Sequence, residues 1–109
     1  MQRYFAEHLF DGKTVKKNQL LSVENGQVIS METTLSPGDA TLLSGLVAPG
    51  FVDVQVNGGG GVLFNNQPSL DTLITMSRAH QQYGSTAILP TLITDDLETM
   101  QLAADAVAT

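Results

Sequence analysis

The sequence predicts an α/β protein in two parts: a strand-rich front over residues 1–47, and two consecutive βα units over residues 48–109. Three observations predict it. Turn dipeptides punctuate short apolar runs in the front part. A strictly alternating heptapeptide runs into four glycines after Pro49-Gly50. Helical and strand-like segments then succeed one another through short connections, the pattern of parallel βα units whose crossovers bury both faces of the strands.

In the front part the turn signals are Asp11-Gly12, Asn25-Gly26 and Pro37-Gly38, spaced as in hairpins. Asn25-Gly26 is the sharpest, because both residues tolerate the positive φ of a type I′ turn and the flanks Leu20–Glu24 and Gln27–Met31 read as strands. A small antiparallel sheet is expected. Beyond Pro49-Gly50, Phe51–Asn57 reads as a strand. Pro68-Ser69 then precedes Leu70, Leu73, Ile74, Ser77 and Tyr83, a mostly apolar stripe that stops at Gly84; this is a helix with a C-terminal glycine. Thr86–Thr94 reads as a buried strand ending near Pro90, since proline cannot continue a central ladder. Asp95, with Glu98 three residues on, is the expected cap of a second helix whose apolar face is Leu97, Met100, Ala104 and Val107.

Two βα units cannot close a sheet or a barrel. A (β/α)8 barrel needs roughly 250 residues, so the sequence reads as an incomplete barrel that stops inside its second helix. An open pair of units would expose strand edges and apolar faces.

Composition narrows the function classes. Eleven acidic residues against five basic ones give a net charge of -6, and the longest basic run is Lys16-Lys17, so no patch is present that would neutralise nucleic-acid phosphates. With no cysteine, disulfides, cysteine metal sites and thiol nucleophiles are excluded. The N-terminus lacks the apolar stretch of a signal peptide and no segment approaches a membrane span. A cytoplasmic protein without nucleic-acid or membrane partners is expected.

Residues two apart on a strand share a face, so Asp53, Gln55 and Asn57 are expected to project together, opposite Val52, Val54 and Val56. A surface strand shows the same alternation. In a barrel, however, the C-terminal strand ends and the loops after them build the active site, which would put Gln55 and Asn57 at its mouth, with Asp53 deeper and structural. Gly58, Gly59, Gly60 and Gly61 form a possible substrate loop, since glycine lets backbone amides approach a ligand, although glycine loops after strands are frequent in proteins that bind nothing there; the run lacks the lysine of a nucleotide-binding P-loop. His8 and His80 are far apart in sequence and lack the pattern of a metal pair. Each is expected to face solvent or pack.

The run Ala48–Gly58, with its Pro49-Gly50-Phe51-Val52-Asp53 opening, resembles the first barrel strand of the amidohydrolases. Their usual form is PGFID followed by HxH, two histidines on one strand face that hold a metal together. Gln55 and Asn57 stand in those two places. The QxNG pattern, the glycine loop, Val62–Asn65 and the later Leu89–Thr94 resemble the sugar-phosphate deacetylases of that family, in a branch that keeps one metal rather than two. Gly59 departs from the family, which commonly has another residue there.

The resemblance implies that residues 1–47 belong to a small β-sandwich domain and residues 48–109 to a metal-dependent hydrolase barrel. It implies hydrolysis of the acetamide of N-acetylglucosamine 6-phosphate to glucosamine 6-phosphate and acetate, a step of amino-sugar catabolism, by a homo-oligomer. A divalent metal, zinc in the first instance, would lower the pKa of a water while a carboxylate moves its proton. The metal ligands and the catalytic aspartate would come from later strands, so the chain is expected to carry no catalytic residue and no metal ligand, and to be inactive alone. Gln55 and Asn57, as neutral amides, are poor zinc ligands; they are expected to bind water, substrate or neighbouring side chains instead. Two other readings stand beside this one: another single-metal amidohydrolase with a different substrate, and a noncatalytic binding module.

Overall fold

A computed structural model describes all residues, 1–109. The chain divides into two compact units, Met1–Pro49 and Gly50–Thr109, and each is described by itself.

The first unit is a four-stranded sheet of β1 (Gln2–Phe10), β2 (Val15–Glu24), β3 (Gln27–Thr33) and β4 (Thr41–Val47), in the order β3-β2-β1-β4. β1, β2 and β3 pair antiparallel through tight turns. Asn25 and Gly26 hold φ values of 50° and 77°, the positive angles a two-residue hairpin requires, and Glu24 faces Gln27 across the turn. The sheet is not purely antiparallel as the turn signals suggested, because β4 pairs with β1 in parallel. The reason lies in residues 34–40, which carry the chain from the β3 edge to the β1 edge instead of turning back. That crossover is tied down by the Thr34 amide on the Asn18 carbonyl at 2.9 Å and by the Arg3–Asp39 ion pair at 3.1 Å. Ala6, Leu9 and Leu21 form the buried cluster of the unit, with Tyr4 and Val47 against it.

In the second unit β5 (Phe51–Val56) and β8 (Ser85–Pro90) pair in parallel. Between them lie a two-residue ladder of β6 (Gly58–Gly59) and β7 (Val62–Leu63) and the helix α1 (Leu70–Gln81); α2 (Leu97–Ala108) follows β8. Val56, Phe64, Met76 and Ala103 make the core, with Val62, Leu73, Ile88 and Leu92 packed against it.

Both helices differ from expectation in the face they bury. On α1 the fully buried residues are Thr72 and Met76, while Leu70 and Ile74 are exposed and Tyr83 lies beyond the helix end. Thr72 can be buried because its hydroxyl accepts from Ser69 Oγ at 3.1 Å, and the Ser69 hydroxyl also caps the helix by accepting from the Thr72 amide. On α2 the buried residues are Ala103 and Ala106; Leu97, Met100 and Val107 are exposed. The cap of α2 is Asp96, not Asp95: Asp96 Oδ1 accepts from the Thr99 amide at 2.7 Å. Asp95 is turned to other partners: one of its oxygens accepts from the Asp96 amide and the other from Asn65 Nδ2.

Neither unit covers all its apolar surface. Phe51, Val52, Val54 and Leu89 are exposed on the β5–β8 pair, as are Leu42 and Leu46 on β4. No helix is long and apolar enough to cross a membrane.

Candidate functional site at the C-terminal ends of two parallel strands

β5 and β8 run in the same direction, so their C-terminal ends and the segments that follow lie side by side. The pairing shifts register between Asp53 and Val56. Strict alternation therefore does not carry through the strand: Val52 and Val54 are exposed whereas Val56 is buried in the core. Asp53 is half-buried and its carboxylate accepts from the Gln55 amide at 3.2 Å, a local turn contact that consumes one of its oxygens.

Gln55 is exposed. Asn57 is half-buried, and its Nδ2 donates to the Thr91 carbonyl at 3.1 Å. The Thr91 amide in turn donates to the Val56 carbonyl at 2.8 Å. The backbone pairing of β5 with β8 thus reaches one residue past Pro90, and Asn57 adds a side-chain bond to that same residue.

The glycine run is shaped by the helix beneath it. His80 Nε2 lies 2.8 Å from the Gly58 carbonyl; the ring nitrogen carries the proton in this pairing, since a carbonyl can only accept. A Cβ on Gly59 would meet His80 Nε2 at 2.8 Å, and one on Gly60 would meet the Thr75 side chain at 3.0 Å and its carbonyl at 3.2 Å, while Gly61 faces open space. Close packing on α1 is therefore a sufficient reason for glycine at the middle positions. Gly60 and Gly61 are the exposed members of the run.

Two residues not singled out as site residues organise this end of the sheet. One is His80, expected to face solvent or pack, which carries the loop. The other is Asn65, whose Oδ1 accepts from the Ile93 amide at 2.9 Å while its Nδ2 donates to the Ile93 carbonyl at 2.7 Å and to Asp95 Oδ2 at 2.9 Å. No spacing rule marks either one, because each partner lies more than twenty residues away.

The residues present do not fit a metal ion. No three His, Cys, Asp or Glu side chains come together, and Gln55 and Asn57 offer neutral amides, with the Asn57 nitrogen already committed to Thr91.

No family model matches the chain. It is 58% identical over 80 residues to an N-acetylgalactosamine-6-phosphate deacetylase of Shewanella sp. (strain ANA-3), a match covering 73% of this chain and 20% of the relative. It is 38% identical over 84 residues to an N-acetylglucosamine-6-phosphate deacetylase of Haemophilus influenzae, covering 72% and 22%. Among solved structures, the N-acetylglucosamine-6-phosphate deacetylase of Pasteurella multocida superposes with a TM-score of 0.84 at 26% identity, over 98% of this chain and 29% of that one. The Mycobacterium smegmatis enzyme of the same name has the same fold over this stretch, with a TM-score of 0.86 at 24% identity, covering 99% and 31%. The chain spans about a fifth of the length of the curated relatives it matches.

Proposed function

We propose that this chain, a homologue of N-acetylglucosamine- and N-acetylgalactosamine-6-phosphate deacetylases, is the N-terminal part of such an enzyme. The whole protein would hydrolyse the acetamide of N-acetylglucosamine 6-phosphate to glucosamine 6-phosphate and acetate, in the cytoplasm and in the service of amino-sugar catabolism. The observation that carries the reading is the 38% identity over 84 residues to a relative named for the gluco sugar. A second reading, N-acetylgalactosamine 6-phosphate as the substrate, is favoured by the 58% identity over 80 residues to a relative named for the galacto sugar. The two sugars differ only in the configuration at C4.

In this reading residues 1–47 belong to a small β-sandwich domain and residues 48–109 are the first two βα units of a (β/α)8 barrel. The parallel pairing of β5 with β8 around α1 supports it. So do the exposed apolar residues: Phe51, Val52, Val54 and Leu89 on the strands, and the open groove of about 530 Å³ lined by Phe64, Leu92, Met100 and Val107, are surfaces that further strands and helices would cover.

The role assigned to this chain is to shape one wall of the site. Gln55, exposed at the end of β5, would present its carboxamide to substrate or water. Asn57, one N–H of its carboxamide held by the Thr91 carbonyl, would offer its oxygen and its second N–H. Gly60 and Gly61 are the part of the glycine loop that a sugar phosphate could approach. The metal of the full enzyme, zinc in this reading, would be held by residues outside this chain, and no step of the hydrolysis is assigned to the residues here. Assembly of the whole protein into a homo-oligomer belongs to the same reading.

The test is acetate release by the full-length protein with each of the two N-acetylhexosamine 6-phosphates, with divalent metal supplied. Turnover of the gluco sugar in preference supports the first reading and preference for the galacto sugar the second. Turnover of neither overturns both.

A further inference from the structure

Pro90 closes β8, yet the residues after it are bonded as if a strand continued beside them. The Thr91 amide reaches the Val56 carbonyl at 2.8 Å and the Thr91 carbonyl accepts from Asn57 Nδ2 at 3.1 Å. Two residues on, the partner of Ile93 is not a backbone at all: the Asn65 carboxamide accepts from the Ile93 amide at 2.9 Å and donates to its carbonyl at 2.7 Å. A carboxamide carries the same donor and acceptor as a peptide unit, so Asn65 supplies the missing strand partner. Its Nδ2 also donates to Asp95 Oδ2 at 2.9 Å, and Asp95 Oδ1 accepts from the amide of Asp96, the α2 cap. The whole path from β8 to α2 is thereby pinned to the segment that follows β5. Asn65 can hold this position because it directly follows Phe64, which is buried at 1% exposure in the core.

Resting on the proposed deacetylase function, we propose that Asn65 is a positioning residue for it: by standing in for a strand partner of Ile93, it fixes the segment Thr91–Asp95 beside Val56 and Asn57, at the strand ends where the reacting amide would lie. A positioning role predicts that loosening the clamp lowers the rate of the bound substrate more than it weakens binding, because small misplacements at a reacting centre cost on the order of a hundredfold.

The experiment uses the full-length protein, with kcat, KM and thermal melting measured for the wild type, Asn65→Asp and Asn65→Ala. Asn65→Asp keeps the shape and the acceptor for the Ile93 amide, loses both donated bonds, and sets a carboxylate against Asp95. A fall in kcat of about tenfold or more with KM within about threefold, in whichever variant melts cooperatively, is the expected result. A folded variant with kcat within about twofold of wild type overturns the proposal, as does a loss confined to KM or to melting temperature. Failure of both variants to fold assigns Asn65 to the fold alone and also overturns it. Absence of turnover in the wild type sinks the functional reading instead, and is read before any substitution is made.

Discussion

His80 on α1 holds the carbonyl of Gly58 at 2.8 Å, so the loop at the end of β5 is anchored from the helix below it. The anchor favours glycine at the neighbouring positions: a side chain at Gly59 would displace the His80 ring, and one at Gly60 would crowd Thr75 and Ala79.

Gly60→Ala tests that packing. The residue sits at φ +65°, and an added Cβ would lie 3.2 Å from the Thr75 carbonyl. The left-handed backbone conformation alone costs an L-residue about 1–2 kcal/mol, so a loss of at least that size is expected in urea unfolding. Gly61→Ala, with φ +83° but open space around it, should lose only the backbone part. Equal losses at the two positions would rule out helix packing as the reason for glycine at Gly60.

Phe64→Ala should be the most damaging single truncation in the second unit. Phe64 is among the largest fully buried side chains and joins Val56, Met76 and Ala103 in the core, and such truncations cost about 3–5 kcal/mol. Leu97→Ala, at a position 83% exposed in this structure, should change stability by less than about 0.5 kcal/mol. Chemical unfolding of the two variants measures the contrast.

The acid behaviour of Asp11 follows from its partners. Hydrogen bonds from the Thr14 amide, from Lys16 and from the Lys13 amide hold its carboxyl down at about 2, below the ordinary 3.8. A depressed folded value means that the contribution to stability is present above the unfolded value and is lost as pH falls from about 4 through about 2. Carbon-detected titration of the Asp11 carboxyl should give a midpoint near 2, and Lys16→Ala should raise it, since Lys16 Nζ stands 3.0 Å from Asp11 Oδ2. A midpoint unchanged by that substitution would remove Lys16 as a cause.

Residues 1–109 by themselves should release no acetate from N-acetylglucosamine 6-phosphate, with or without added zinc. No three metal-ligating side chains converge, and neutral amides at Gln55 and Asn57 do not replace imidazole or carboxylate ligands. Acetate release above the uncatalysed rate would overturn this expectation.

Local chemistry was legible in the sequence. Asn25-Gly26 made its turn because few other dipeptides accept two positive φ angles. β8 ended at Pro90, where the proline marked it, and the order of strand and helix followed from a change of hydrophobic period. The resemblance of Ala48–Gly58 to a hydrolase strand pointed to relatives that are deacetylases. All of these depend on residues that are neighbours along the chain.

Only the tertiary structure decided which face each helix buries, that β4 runs parallel to β1, that Asp96 and not Asp95 caps α2, and that Asn65 and His80 organise the ends of the strands. Periodicity places apolar residues on a helix but does not say what lies opposite them. On α1 the opposing surface is a glycine loop that admits Thr75 and Ala79 at close range, so Thr72 and Met76 face inward while Leu70 and Ile74 do not. A carboxylate or carboxamide, likewise, is equally able to cap, clamp or face water, and its role is fixed by whichever distant donor or acceptor the fold brings within 3 Å of it.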